Sequence, residues 1–172
     1  FNSYGNKLET FTPIKENEVA MYVCGPTVYD EPHIGNMRPV IVFDVWRRLF
    51  IALGYKVTYV SNYTDVDDKI IARAKKLNIT EQELTSEVIK AFRKDVEEVN
   101  SLQPDITPTP TGYMDKIISY VDDLVKSNHA YLADGDVYFR VSSISNYGDL
   151  SGNTVESLIS GARIEVNSKK ES

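Results

Sequence analysis

Two short apolar runs with a helical one between them decide what this chain can build. Val19 to Cys24 is apolar with no polar alternation and breaks at Gly25-Pro26, which predicts a buried strand. From Met37 to Leu53 the period changes. Val40, Phe43, Trp46, Leu49, Phe50 and Leu53 fall at helical spacing and predict a core-facing stripe, with Arg47 and Arg48 on the outward side. Pro39 fits the first turn of that helix and Gly54 ends it. Lys56 to Ser61, rich in β-branched and aromatic residues, is the second strand. Strand, helix, strand over this length is a right-handed βαβ unit with parallel strands, so the expected class is α/β with a Rossmann-like parallel sheet.

The remainder reads as supporting structure. Leu8 to Ile14 alternates weakly and suggests an edge strand ended at Pro13. Thr64 reads as the N-cap of a helix reaching about Asn78, with Asp65, Asp67 and Asp68 suiting its dipole. Thr80 and Glu83 form a capping box opening a helix to about Val99. The stretch from Gln103 to Thr111, with Pro104, Pro108 and Pro110, reads as a linker. Met114 to Val125 is an amphipathic helix with Ile117, Ile118, Val121, Leu124 and Val125 inward. A hairpin turns at Asp134-Gly135, between Ala130–Ala133 and Asp136–Val141, and a short helix is expected near Val155 to Ile159. Both ends read as cut, since the chain opens on Phe1 and closes in a polar run at Ser172.

Composition excludes several classes. With 42% hydrophobic and 26% charged residues, the 172-residue chain is an ordinary globular one. Its net charge of −6 excludes bulk binding of DNA or another polyanion, which would need a local patch. One cysteine allows no internal disulfide and agrees with the reducing cytoplasm. Asp44, Arg47 and Arg48 interrupt the longest apolar run, so no membrane partner is expected.

Chemistry concentrates after the two strands. His33-Ile34-Gly35-Asn36 stands at a helix start, where N–H groups and the dipole favour an anion. His33 and Asn36 are spaced to face one ligand, and Gly35 would let a base or sugar approach the backbone. The plainer reading of these four residues makes His33 an ordinary loop residue and Asn36 a cap. Cys24 reads as a small buried hydrophobe unless it has metal partners, and neither His33 nor His129 has ligand spacing to it. Thr64 and the acids after it could hold an ammonium group or help a metal neutralise phosphates, or serve only the helix end. His129 reads as structural, and Trp46 as core.

Taken in order, Met21-Tyr22-Val23-Cys24-Gly25-Pro26-Thr27-Val28-Tyr29-Asp30, His33-Ile34-Gly35-Asn36 and Asn62-Tyr63-Thr64-Asp65-Val66-Asp67-Asp68-Lys69-Ile70 resemble the N-terminal part of the cysteinyl-tRNA synthetases, a class I aminoacyl-tRNA synthetase family. Gly161-Ala162-Arg163 with Glu165-Val166 adds to the likeness. The resemblance implies ATP-dependent activation of L-cysteine and its transfer to tRNA(Cys). It implies catalytic roles for His33 and Asn36, and ATP binding, with Mg2+, by Tyr29, His33, Gly35 and Asn36. It also implies substrate binding by Cys24, Gly25 and Thr64. Cys24 would be one of four ligands to a Zn2+ that selects the substrate thiolate, the others lying outside this chain with the KMSKS loop and the anticodon-binding domain. Asn36 stands where the family signature has histidine, so it offers a neutral hydrogen bond in place of a cation. The implied layout is the first half of the catalytic domain at 1–102, then a helix and hairpin leading into a connective-peptide insertion at 103–172. Two alternatives are a related ligase that joins cysteine to an amino sugar in thiol synthesis, and a nucleotide-binding fragment without activity.

Overall fold

The computed structural model describes residues 1–152, so the segments near Val155 to Ile159 and Gly161 to Val166 lie outside the described residues. Two compact units are present among the described residues, one spanning Thr12–Met114, the other made of Phe1–Phe11 and residues 115–152.

The first unit holds the expected βαβ element. Strand β1 (Glu18–Val23) leads to helix α1 (Ile34–Ala52) and strand β2 (Lys56–Ser61). The strands pair in parallel, from Glu18 with Lys56 to Val23 with Ser61. Helix α2 (Asp68–Leu77) and helix α3 (Glu81–Glu98) follow. The core gathers Val28, Met37, Tyr63, Ile70, Ala74, Leu84, Val88, Phe92 and Val96. It therefore sits between the start of α1, α2, α3 and the loop after β1. Val28, fully buried in that irregular loop, pins it.

The structure revises the expected faces. β1 is not buried throughout, because Val19 packs while Tyr22 is 65% exposed. Helix α1 is rotated from the expectation: Arg47, expected outward, is buried, while Val40 packs against the core and Arg48 is exposed as expected. The helix's buried residues are Met37, Asp44 and Arg47, whereas Trp46 is 48% exposed and is not core. The helix is apolar on both sides, so hydrophobicity does not choose its inner face; polar contacts do. Asp44 accepts from the Leu102 amide at 3.0 Å and pairs with Arg48 at 2.6 Å. Arg47 donates to the Gln103 carbonyl at 2.7 Å and to Asp105 at 2.7 Å.

The same contacts explain residues 103–111, which form no free linker. Ile106 bridges Val60 in parallel, the Ser61 amide donates to Ile106 O at 3.1 Å, and the Tyr63 amide donates to Pro108 O at 3.0 Å. Pro104, Pro108 and Pro110 lack N–H groups, so the segment lies along β2 without completing a strand.

Three local expectations also change. Leu8 to Ile14 forms no strand. Pro39 lies inside α1 beyond its first turn, which leaves the Gly35 carbonyl without its helical donor. Thr64 is not a helix cap: Asp67 caps α2, accepting from Lys69 N at 2.9 Å. The expected ends hold elsewhere. Thr80 and Glu83 form the capping box of α3, and Asn78 closes α2 in the left-handed conformation.

In the second unit, α4 (Met114–Lys126) is followed by antiparallel strands β3 (Ala130–Ala133) and β4 (Asp136–Phe139). Asp134 (φ 49°) and Gly135 (φ 90°) make the turn, and the second strand ends two residues before Val141. Ile118 is 60% exposed, against its expected inward place. His129 follows the helix, its Nδ1 2.8 Å from Ser143 Oγ, as a structural residue would. No helix among the described residues is long and apolar enough to cross a membrane.

Candidate active site

The site lies within the Thr12–Met114 unit, at the carboxyl ends of β1 and β2, where an open parallel sheet leaves a crevice. A cleft of about 110 Å³ is bounded by Val23 to Pro26 on one side and by Gly35, Asn36, Pro39 and Val40 of α1 on the other, with Tyr59, Ser61 and Phe92 below. A hollow of about 50 Å³ is lined by Pro26, Thr27, the run from Tyr29 to His33, Asn36, Val88 and Phe92. Pro26, Asn36 and Phe92 line both. Of the expected site residues, Cys24, Gly25, Gly35 and Asn36 thus meet in one cleft, and Tyr29, His33 and Asn36 in its neighbour. Thr64 lines neither.

The loop from Cys24 to His33 is held by β2's continuation. The Thr64 amide donates to Pro26 O at 3.0 Å and the Val28 amide to Thr64 O at 3.1 Å, so Thr27 and Thr64 prolong the parallel pairing. Gly25 admits no side chain, because a Cβ there would stand 1.7 Å from the Asn62 carbonyl oxygen. The strands can converge this closely only at a glycine.

His33 and Asn36 are engaged with the helix end as well as with the hollow. His33 Nδ1 accepts from the Gly35 amide at 3.0 Å, and Asn36 Oδ1 accepts from the His33 amide at 2.9 Å. The cap reading of Asn36 is therefore realised, without removing it from the two hollows. The Asn36 amide also donates to His33 O at 2.8 Å. With these two backbone N–H groups satisfied, an anion at this helix start would meet the imidazole. Nδ1 accepts, so the ring proton is on Nε2, on the exposed His33 side chain. Gly35 has a reason the sequence did not suggest: a Cβ there would come 2.7 Å from His33 Cε1.

Charged neighbours frame the hollow. Arg73 pairs with Asp30 at 3.1 Å, and Lys69 Nζ lies 5.3 Å from the centre of the Tyr29 ring. In the cleft floor, burial pushes the Tyr59 phenol above its ordinary range, with the Arg47 guanidinium, 5.6 Å over its ring, acting against the rise. Tyr59 is thus a neutral surface at any physiological pH.

Of the acids after β2, Asp67 and Asp68 serve the start of α2, one of the two expected roles, while Asp65 turns to Thr111. Asp65 accepts from the Thr111 amide at 3.1 Å and pairs with its hydroxyl, and Asp67 caps α2. Cys24 is exposed rather than buried, and its thiol faces the Gly25 carbonyl at 3.6 Å. Among the described residues no three His, Cys, Asp or Glu side chains gather to hold a metal. The donor set present, one thiol, does not close a zinc site.

Residues 10–172 match the family model of the class I (C) tRNA synthetase catalytic domain. The chain belongs to this family. The synthetase domain is 52% identical over 171 residues to a cysteine–tRNA ligase of Exiguobacterium sibiricum, covering 99% of this chain and 37% of that protein. It is 47% identical to a cysteine–tRNA ligase of Acholeplasma laidlawii, again over 99% of this chain, and 39% of that protein. It therefore spans well under half the length of these relatives. Among solved structures it resembles the LeuRS of Agrobacterium radiobacter K84, from a ternary complex with tRNA and LeuAMS. The TM-score is 0.58 at 19% identity, over 70% of this chain and 16% of that one, a likeness of fold.

Sequence reasoning missed two residues of the synthetase domain's site. Phe92 enters from α3 to line both hollows, and its only signal was an apolar position on an amphipathic helix. Asn62 joins the two strand ends; it opens the third stretch that carries the resemblance, which gave it no role of its own.

Proposed function

We propose that this chain supplies part of the active site of a cysteine–tRNA ligase. In the reaction L-cysteine and ATP give cysteinyl-adenylate and pyrophosphate, and the cysteinyl group then passes to the 3′ end of tRNA(Cys). The observation that carries the reading is the pair of hollows sharing Asn36 and Phe92, one beside Cys24 and Gly25, the other beside Tyr29 and His33. Amino acid and nucleotide must lie next to each other for a carboxylate to reach the α-phosphate. The relatives' names favour tRNA as acceptor over an amino sugar.

The carboxylate is already a nucleophile, so the step needs positioning and charge stabilisation rather than a general base. His33, with Nδ1 occupied, offers Nε2–H and the positive end of α1 to the phosphates, assisted by Mg2+ carried in with ATP. Asn36 contributes a neutral amide, and Gly35 keeps room for the imidazole. Tyr29 packs at the nucleotide side. Gly25 and Thr64 hold the amino acid. Cys24 enters this reading as one ligand of a Zn2+ completed by residues outside the described chain; such an ion prefers a thiolate to the hydroxyl of serine. The segment after Gln103 leads into the connective peptide. The setting is cytoplasmic.

Aminoacylation by the full-length protein tests the reading. Cysteine joined to tRNA(Cys) is the expected product. Cysteine joined only to an amino-sugar acceptor would replace the ligase assignment, and no product with either would leave the nucleotide-binding alternative.

A further inference from the structure

Asn62 stands where the two strand ends meet, and it has three partners. Its Oδ1 accepts from the Gly25 amide at 2.9 Å and from the Tyr22 hydroxyl at 2.9 Å, while its Nδ2 donates to Thr64 Oγ1 at 3.1 Å. The orientation of the amide is forced. A backbone N–H can only donate, so the atom facing Gly25 is the oxygen, and the atom facing Thr64 is the nitrogen. Thr64 Oγ1 must then accept, which keeps its own hydroxyl proton and its second lone pair available. The contact with Gly25 is also the place of closest approach, since any Cβ on Gly25 would meet the Asn62 carbonyl at 1.7 Å.

We infer that Asn62 is a positioning residue for the amino-acid subsite: it sets the spacing between the Cys24-Gly25 turn and Thr64, and it fixes which way the Thr64 hydroxyl points. This rests on the function proposed above for those three residues. Asn62 itself touches no substrate. A glutamine would overreach the span. An aspartate would keep the acceptor for Gly25 but turn the Thr64 bond round, consuming the hydroxyl proton.

Two measurements on the full-length protein test it. In hydrogen exchange, Asn62→Ala is expected to speed exchange of the Gly25 amide at least about tenfold, as loss of a hydrogen bond does. This readout does not depend on what the protein catalyses, and unchanged exchange would overturn the inference. In cysteine-dependent ATP–pyrophosphate exchange, Asn62→Ala and Asn62→Asp are expected to raise the KM for cysteine about tenfold while the KM for ATP stays within twofold. Tyr22→Phe, which leaves the Gly25 and Thr64 bonds, is expected to change either by less than twofold. Equal rises in both KM values, or a lowered kcat with both KM values unchanged, would make Asn62 a structural residue and overturn the inference. If the unsubstituted protein gives no exchange with cysteine, the functional reading fails instead, and the Gly25 amide alone decides whether Asn62 ties the strand ends.

Discussion

The Arg47 guanidinium, with its side chain 9% exposed, lies 2.7 Å from the Asp105 carboxylate across 58 residues of sequence. Asp105 also accepts from the Tyr59 amide at 2.7 Å, so one carboxylate ties α1, β2 and the segment beyond α3. Asp105→Ala leaves a buried cation without its carboxylate, with the Gln103 carbonyl still in place, and a strand amide without its acceptor. The expected loss of stability is about 3 kcal/mol, read by chemical denaturation. Asp105→Asn, which keeps an acceptor, should lose less.

That pair also shows where a sequence stops being legible. The βαβ unit, the capping box at Thr80, the helix end near Asn78 and the turn at Asp134-Gly135 were all readable, because each is decided by residues close in sequence. The inner face of α1 was not. Its apolar residues surround the helix, and the choice is made by Gln103, Leu102 and Asp105, far along the chain. The path of residues 103–111 was hidden likewise, since its prolines signal a turn whether or not β2 lies alongside. At the site, Cys24, Gly25, Gly35 and Asn36 line one cleft, a meeting of strand end and helix start that a parallel βαβ unit makes possible. The joint made by Asn62 needed coordinates, because asparagine after a strand has no periodicity to betray it.

Gly35→Ala should act through its neighbour. The added Cβ, 2.7 Å from His33 Cε1, displaces the imidazole and breaks the Nδ1 cap. His33→Ala removes the imidazole outright. The expected result for both, in cysteine-dependent exchange by the full-length protein, is a fall in kcat of about 100-fold with a smaller change in cysteine KM, because the contact strengthens in the transition state. Equal losses in binding and rate would assign His33 to structure.

Acid should loosen the start of α3. The Thr80 backbone amide, and then its hydroxyl, hold the Glu83 carboxyl below its ordinary range. A lowered folded-state pKa means the box stabilises fully above the unfolded carboxyl range and is lost as pH falls through the folded value. Exchange of the first-turn amides of α3 should therefore quicken on acidification, and Glu83→Gln should flatten that dependence.

Cys24→Ser should lower the zinc content of the full-length protein from one equivalent to well below one, measured by metal analysis. The 172-residue chain alone, offering a single thiol, should retain no stoichiometric zinc and show no cysteine-dependent exchange. Unchanged metal content in the Cys24→Ser protein would remove Cys24 from the ligand set.

Cysteine-dependent ATP–pyrophosphate exchange by the full-length protein tests the central claim most directly. The account predicts exchange with cysteine, faster than with serine by a factor on the order of 10⁴ in kcat/KM, as expected when a site binds a specific polar group of its substrate. Exchange that ignores cysteine, or that serine supports equally well, would contradict it.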